Sequence, residues 1–235
     1  MKITKKLLGR MNALNARRSL VKKGDRVLIA LSGGPDSVAL AHLLCLWKRK
    51  HRLTLAAAHV HHGFSSQNDR ALRLSRETAR KLGLPFYAKK IRVRALAGRR
   101  RLSLEEAGRE ARYEFFSTLL RRLGMNKLAT GHTRDDQAET VLMWIIRGCG
   151  PHGLSGIPVK RALGRAQVIR PLLDSPKQDL VRFLNESGIR FQTDRSNRSV
   201  RFTRNRVRHE LLPWIEKNLN PSIRKTLAVL AERTR

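Results

Sequence analysis

Short apolar runs alternate with helical patterns along most of the chain, and this alternation restricts the fold more than any other feature. Strand-like runs lie at Arg26–Leu31, Leu53–Val60, Phe86–Val93, Lys127–Thr130 and Val168–Leu172. Helical patterns separate them at Asp36–Lys50, Gln67–Leu82, Ser103–Leu123 and Arg134–Arg147. Strands that alternate with helices favour an α/β fold with a parallel sheet covered on both faces. Such sheets bind ligands beyond the carboxyl ends of the strands, where the strand order reverses.

The net charge predicts a polyanionic partner. Lys and Arg number 50 against 18 acidic residues, which gives a formal charge of +32. Nucleic acid is the leading candidate, and a membrane surface is the second. No apolar run approaches the ~18–20 residues that cross a bilayer, so no membrane-spanning segment is expected. With 41% apolar residues, the 235-residue chain can bury a core.

Cysteine usage and the first residues indicate a cytoplasmic protein. Cys45 and Cys149 are the only cysteines, so the chain has neither a disulfide framework nor a CxxC metal site. The first 24 residues are basic and contain no acid, as in a transit peptide. Their apolar residues recur at helical spacing, at Ile3, Leu7, Met11 and Leu14. This spacing favours a helix packed on the body of the protein over a removable leader.

A glycine-rich loop joins the first predicted strand to the first predicted helix. It reads Leu31-Ser32-Gly33-Gly34-Pro35-Asp36-Ser37. Adjacent glycines let backbone amides turn inward, and those amides form an anion site with the helix N-terminus. Ser32 and Ser37 add hydroxyl donors, and Pro35 suits a first helical turn. The Gly-Lys-Ser/Thr of a Walker A loop is absent. We therefore predict a nucleotide site that lacks the Walker lysine.

The carboxylate of Asp36, within the predicted nucleotide site, indicates that a metal ion binds there. A carboxylate beside phosphate groups is repulsive unless a cation lies between them, and Mg²⁺ bound to ATP is the natural candidate. The alternative is a helix N-cap turn that binds no ligand. The apolar strand before the loop and the apolar helix after it favour the nucleotide interpretation.

Four further motifs accompany the loop. They are His59-Val60-His61-His62-Gly63, the segment 105–113, the segment 131–140, and the segment 201–208 followed by Leu211-Leu212-Pro213. Together with the loop, over roughly residues 20–220, they resemble the tRNA(Ile)-lysidine synthetase family of the ATP-pyrophosphatase, or PP-loop, superfamily. The resemblance implies a Rossmann-like PP-loop domain, similar to adenine nucleotide alpha hydrolases, with a short helical C-terminal extension.

The resemblance also implies a reaction and its partners. In that family, ATP adenylates the wobble cytidine of the CAU anticodon of tRNA(Ile), and pyrophosphate leaves. The side-chain amine of free L-lysine then displaces AMP to give lysidine. The expected ligands are therefore ATP with Mg²⁺, L-lysine and tRNA(Ile), with no membrane partner. The sequence leaves open whether the chain forms a homodimer.

Site residues follow from the same resemblance. Asp36 and Arg112 are expected to be catalytic, with Asp36 also the Mg²⁺ ligand. ATP binding is expected at Ser32, Gly33, Gly34, Pro35, Asp36, Ser37, His59 and His62. Lysine binding is expected at Asp136, Glu139 and His132, and tRNA binding at Arg201, Arg204, Arg206 and Arg208. On the residues alone, Asp136 and Glu139 share a helix face and Arg112 could belong to a salt-bridge ladder. Clustered histidines on a strand alternate faces, which disfavours zinc.

The expected organisation has three parts. Residues 1–24 form the basic helix, 25–175 the ATP-binding catalytic domain, and 176–235 an Arg-rich helical extension that contacts tRNA. Family members commonly carry further C-terminal domains, and the sequence leaves open whether the chain is a minimal enzyme or a fragment. Two other functions remain open: a tRNA thiolase of the same superfamily, and a non-catalytic RNA-binding protein.

Overall fold

The computed structural model describes residues 2–61, 63, 66–193 and 203–235. Its strands are β1 (Arg26–Ala30), β2 (Thr54–His61), β3 (Phe86–Lys90), β4 (Lys127–Ala129), β5 (Lys160–Leu163) and β6 (Ala166–Ile169). Its first helices are α1 (Lys2–Arg18), α2 (Pro35–His51), α3 (Ser66–Lys81), α4 (Val93–Arg100), α5 (Leu104–Arg122) and α6 (Arg134–Ile146). The later ones are α7 (Pro151–Leu154), α8 (Lys177–Glu186), α9 (Thr203–Arg206), α10 (Leu212–Asn218) and α11 (Ile223–Arg233), with a π-helical turn at Val207–Leu211.

The strands form one sheet in the order β3-β2-β1-β4-β6-β5. All neighbouring pairs are parallel except β5 and β6, which are antiparallel. The chain moves outward from β1 to β2 and β3, then returns to place β4 on the other side of β1. The carboxyl ends of β1 and β4 therefore border the crevice where such sheets bind ligands. The predicted α/β class is confirmed.

Each face of the sheet has its own apolar cluster, because successive side chains of a strand point to opposite faces. Val27 and Ile29 of β1 join a cluster with residues of α1, α2 and α8. Leu28 joins the opposite cluster, which contains Phe116 and Leu120 of α5. The strands that border the crevice are therefore packed against helices on both faces of the sheet.

The basic helix α1 packs on the body of the protein. Ile3 is 5% exposed, and Leu7, Met11 and Leu14 are fully buried. Asp179 of α8 pairs with Lys6 at 3.1 Å and with Arg10 of the same helix. The first helix and α8 are therefore joined by a shared core and by ion pairs.

The sequence patterns indicate neither a helix nor a strand in the segment 148–166, and this interpretation is wrong. The structure has α7 and the edge strand β5 there. Strand β5 has only four residues, its first two are charged, and Gly164 follows it, so it gives too little periodicity to detect. The third strand also ends at Lys90, so Val93 begins α4 instead of ending the strand.

The C-terminal helices pack on α6. Ala138 and Val141 of α6 form a small apolar cluster with Val207, Leu227 and neighbouring residues. The helical segment that starts at Thr203 is interrupted by the π-helical turn before Pro213, which has no N–H to continue the bonding pattern. None of the helices in the described ranges is long and apolar enough to span a membrane.

Candidate active site

The loop after β1 is closed by hydrogen bonds between its own residues. The Ser32 amide donates to the Ser37 hydroxyl at 3.1 Å, and that hydroxyl donates to the Gly34 carbonyl at 2.9 Å. Gly33 has a φ of +84°, and a side chain there would lie 3.0 Å from the Ala71 carbonyl. Gly34 offers no side chain to cap α2. The first amides of α2 are therefore available to an anion.

Asp36 holds a carboxylate oxygen that has no hydrogen-bond partner among the described residues. Its Oδ1 is buried and unpaired, whereas its Oδ2 lies 3.2 Å from the Lys177 ammonium. Burial raises the pKa of Asp36 to about 6, against the lowering effect of Lys177 and with a contribution from Asp136. A buried carboxylate oxygen without a donor fits a hard cation such as Mg²⁺.

The chain after β4 approaches the loop after β1 so closely at Gly131 that there is little space for a side chain at this position. A Cβ on Gly131 would lie 3.0 Å from the Asp36 carbonyl. Thr133 then caps α6, because its hydroxyl accepts from the Asp136 amide at 3.3 Å. In return, the Asp136 carboxylate accepts from the Thr133 amide at 2.8 Å. This capping box fixes the start of α6 beside the loop.

Two arginines of the C-terminal segment bind the carboxylates of α6. Arg208 Nε donates to Glu139 Oε1 at 2.6 Å, and Arg204 Nε donates to Glu139 Oε2 at 2.9 Å. Both guanidinium groups also lie 3.3 Å from Asp136 Oδ1. The Glu139 side chain is 1% exposed, so arginine compensates its charge in place of water. The residues predicted to bind lysine and two of those predicted to bind tRNA thus form one cluster.

Arg112 and His132 line the cleft between the loop after β1 and the start of α6, together with Ser32 and Asp36. Arg112 is exposed to solvent where it lines the cleft. The Nδ1 atom of His132 lies 2.9 Å from the Thr130 hydroxyl. Burial lowers the pKa of His132 to about 4, so its ring is neutral near neutral pH.

The histidines of β2 have different surroundings. His59 is buried, and its Nδ1 lies 2.8 Å from the Leu31 carbonyl and 3.0 Å from the Ser75 hydroxyl. His59 therefore connects β2, α3 and the loop after β1 while lining the outer part of the cleft. His61 contacts Asp69 at 2.9 Å. Within the described ranges, no group of three histidine, cysteine or acidic residues could hold a metal ion.

Some predicted residues lie away from the cleft or outside the described residues. Arg206 is exposed, and its Nε lies 3.7 Å from Glu210. His62 and Arg201 lie outside the described residues. Their assignments stay predictions.

Lys177 is a cleft residue that the sequence analysis does not predict. It begins α8, and its amide donates to Asp135 Oδ2 at 2.7 Å. Asp135 also pairs with Arg224 of α11 at 3.4 Å. The cap at Asp135 fixes the start of α8, and the Lys177 ammonium reaches Asp36 from there. The cleft therefore contains a lysine from α8, although its glycine-rich loop lacks the lysine of a Walker A loop.

Comparison with protein families gives a match over nearly the whole chain. The family described as the PP-loop domain matches residues 3–215. The chain belongs to the PP-loop family.

Among curated proteins, this PP-loop chain is similar to the tRNA(Ile)-lysidine synthase of Geobacter sulfurreducens, with 42% identity over 229 residues. That alignment covers 96% of the chain and 47% of the relative. The enzyme of the same name from Clostridium acetobutylicum is 36% identical over 92% of the chain and 46% of its own length. The chain spans about half the length of these curated relatives.

Among solved structures, the PP-loop fold is shared with a U34-tRNA thiolase of Methanococcus maripaludis. That comparison has a TM-score of 0.77, 17% identity, and coverage of 98% of this chain and 78% of the thiolase. An NH3-dependent NAD synthetase of Campylobacter jejuni gives a TM-score of 0.54 and 17% identity, over 99% of this chain and 93% of the synthetase. These likenesses concern the fold alone.

Proposed function

We propose that this chain carries the catalytic centre of a tRNA(Ile)-lysidine synthetase. In the first step, O2 of the wobble cytosine attacks the α-phosphorus of ATP, and pyrophosphate leaves. In the second, the lysine side-chain amine attacks ring carbon 2, loses a proton, and displaces AMP. Adenylation turns an unreactive carbonyl oxygen into a leaving group, which is why the reaction consumes ATP.

One observation carries the proposal: a single cleft combines an anion site and a cation site. The free amides of α2 and Asp36 lie at the end of β1. The carboxylates of Asp136 and Glu139 lie on α6, which starts after β4. A triphosphate suits the first site, and an amine substrate suits the second. The names of the curated relatives support the same assignment.

For the first step, we assign ATP binding to the loop Ser32–Ser37, to His59 and to His62. Asp36 would hold Mg²⁺, which supplies positive charge against the phosphates. The unpaired Oδ1 of Asp36 supports this role. Arg112 lines the same cleft and can stabilise negative charge at the α-phosphate.

For the second step, we assign lysine binding to Asp136, Glu139 and His132. A lysine ammonium can take the place of a guanidinium in this cluster, since both are cationic donors to carboxylates. Neutral His132 adds no positive charge that would oppose it. Lysine binding therefore requires Arg204 or Arg208 to give up contacts with Glu139.

We assign tRNA binding to the basic surface of the C-terminal part, including Arg201, Arg204, Arg206 and Arg208. The +32 charge supports it, because polyphosphate chains bind dense basic surfaces by counterion release. The three-part organisation, with 1–24 as a basic helix, 25–175 as the catalytic domain and 176–235 as the tRNA-contacting extension, remains our proposal. So does a cytoplasmic location.

A thiolase function is less well supported. The high structural similarity to a tRNA thiolase comes with 17% identity and shows the fold only. Cys45 and Cys149 are the sole cysteines, so no CxxC pair is available for a cluster.

The test is turnover by the chain with ATP, Mg²⁺ and labelled lysine, on matched isoleucine and methionine tRNAs that share the CAU anticodon. We expect label in the isoleucine tRNA only, with equal release of AMP and pyrophosphate that depends on lysine. Product release that needs a sulfur donor instead would indicate a thiolase. RNA binding without release of either product would indicate a binding protein and would refute the proposal.

A further inference from the structure

Tyr113 of α5 lies at the centre of a cluster of arginines at the border of the cleft. The guanidinium carbon of Arg161 lies 4.5 Å from the centroid of the Tyr113 ring, and that of Arg109 lies 5.3 Å from it. Arg170 is 3% exposed, and its Nε is buried without a partner. Tyr113 and Arg109 also line the cleft that contains Asp36. We call these four residues, Arg109, Tyr113, Arg161 and Arg170, the tyrosine–arginine cluster.

The positive charge of this cluster is not compensated by acidic side chains. In the part of the chain that the structure describes, no carboxylate forms a hydrogen bond or an ion pair with Arg109, Arg161 or Arg170. Burial, together with the charges of Arg161 and Arg109, lowers the pKa of Arg170 to about 10, although Tyr113 opposes that effect. Burying several arginines close together costs free energy, because they lose water and repel one another. Such a cluster is typical of a site in which an anionic ligand supplies the negative charge.

Strand register locates the cluster relative to the nucleotide loop. Leu28 of β1 pairs with Leu128, Leu128 pairs with Val168, and Val168 pairs with Arg161. Arg161 therefore lies three strands from β1, or about 14 Å at the usual strand spacing. Leu28, Leu128 and Val168 all face α5, and Arg161 reaches Tyr113 on the same side of the sheet. The cluster extends the cleft sideways from the ATP loop to the edge of the sheet.

We propose that the tyrosine–arginine cluster binds a backbone phosphate of the RNA substrate, next to the nucleotide that is adenylated. This inference rests on the proposed function and deepens it. Phosphate is the shared chemistry of RNA and ATP, but we assign the triphosphate to the loop after β1, whereas Arg161 lies about 14 Å from β1 across the sheet. An RNA strand whose reacting base enters the cleft has further phosphates on either side of it. Arg109 and Arg161 both contact the Tyr113 ring, so a phosphate beside that ring can accept hydrogen bonds from either guanidinium group.

The test compares Arg161→Gln with Arg165→Gln. Arg165 is exposed in the turn between β5 and β6, so its replacement removes the same charge four residues away from Arg161. The probes are an anticodon stem–loop RNA with a CAU anticodon, ATP and pyrophosphate. RNA affinity is measured by fluorescence anisotropy over a salt series, and nucleotide affinity by calorimetry. Arg109→Gln, which removes another guanidinium group in contact with the Tyr113 ring, provides a second cluster variant if Arg161→Gln does not fold.

We expect each cluster variant to weaken RNA binding roughly five- to tenfold and to reduce the log–log salt slope by about one. Arg165→Gln should stay within about twofold of the parent in RNA affinity, and all variants should keep the parent affinity for ATP and pyrophosphate. Equal effects of Arg161→Gln and Arg165→Gln would mean a diffuse basic field and would overturn the inference. Weaker ATP or pyrophosphate binding with unchanged RNA binding would overturn it in favour of a nucleotide site. Loss of the proposed function itself would show separately, as a parent chain that forms no lysidine.

Discussion

Arg208 donates from Nε to Oε1 of Glu139 at 2.6 Å, and this contact connects the C-terminal segment to the middle of α6. The Arg208 side chain is 21% exposed and that of Glu139 is 1% exposed. Removing Arg208 takes two donors from the buried Glu139 carboxylate and leaves it with Arg204, which donates to Oε2. Because an unmet hydrogen bond of a buried polar group costs about 1–3 kcal/mol, we expect Arg208→Ala to lower the free energy of unfolding by about 2 kcal/mol, measured by urea denaturation.

The neighbouring Arg206 is the matched control. It is 69% exposed, and its ion pair with Glu210 has a distance of 3.7 Å. Exposed pairs of this kind contribute about 0–1 kcal/mol, so Arg206→Ala should leave the denaturation midpoint nearly unchanged. Similar losses in both variants would show that the buried cluster around Glu139 is not what holds the C-terminal segment in place.

The carboxylate of Asp36 is predicted to cost stability and to be required for nucleotide binding. Its folded pKa of about 6 exceeds its unfolded value of 3.8, so the folded protein loses stability as pH rises between these values. Near neutral pH, Asp36→Asn should therefore unfold at a higher temperature than the parent in the absence of metal. Adding Mg²⁺ and ATP should raise the midpoint of the parent but not of the variant. A variant that is stabilised by Mg²⁺ and ATP as much as the parent would remove Asp36 from the metal site.

The site after β1 could be predicted from the sequence because its parts are local. The strand, the paired glycines, Pro35 and Asp36 are consecutive; Gly33 has a positive φ, Pro35 begins α2, and Asp36 lies in its first turn. The capping box of Thr133 and Asp136 is equally local, since its partners are three residues apart. A sequence pattern can report such features because the chemistry and the spacing lie in the same few residues.

The rest of the site depends on contacts between residues that are distant in sequence. Arg204 and Arg208 lie 65 and 69 residues from Glu139, and no periodicity connects these positions. Arg161 lies on an edge strand of four residues that the sequence does not reveal, so its approach to Tyr113 is invisible without the sheet. The sequence indicates a surplus of positive charge, but only the fold shows which cations face the cleft and which have carboxylate partners.

His132 is predicted to make stability depend on pH. Burial lowers its folded pKa to about 4, below the unfolded value of 6.5. Between these values the unfolded chain binds the extra proton, so stability is lost as pH falls from about 6.5 to about 4. The variant His132→Asn has no group that titrates in this range, so its free energy of unfolding should fall less than that of the parent. The difference should reach up to about 3 kcal/mol at the acidic end of the range. Urea denaturation of both proteins across this range is the measurement, and parallel curves would contradict the prediction.

Lys177 is predicted to supply the phosphate-binding charge that the glycine-rich loop lacks. Its ammonium lies 3.2 Å from Asp36 Oδ2, and a metal ion on that carboxylate would free the ammonium to face the phosphates. A charge-assisted contact is worth about 1.5–3 kcal/mol, so Lys177→Ala should weaken pyrophosphate and ATP binding by at least roughly tenfold. AMP lacks the outer phosphates and should bind as before, and Lys177→Arg should restore part of the loss. The exposed Lys225 of α11 serves as the control, because Lys225→Ala removes the same charge outside the cleft. If calorimetry gave equal pyrophosphate affinities for Lys177→Ala and Lys225→Ala, the contact with Asp36 would be a structural ion pair alone.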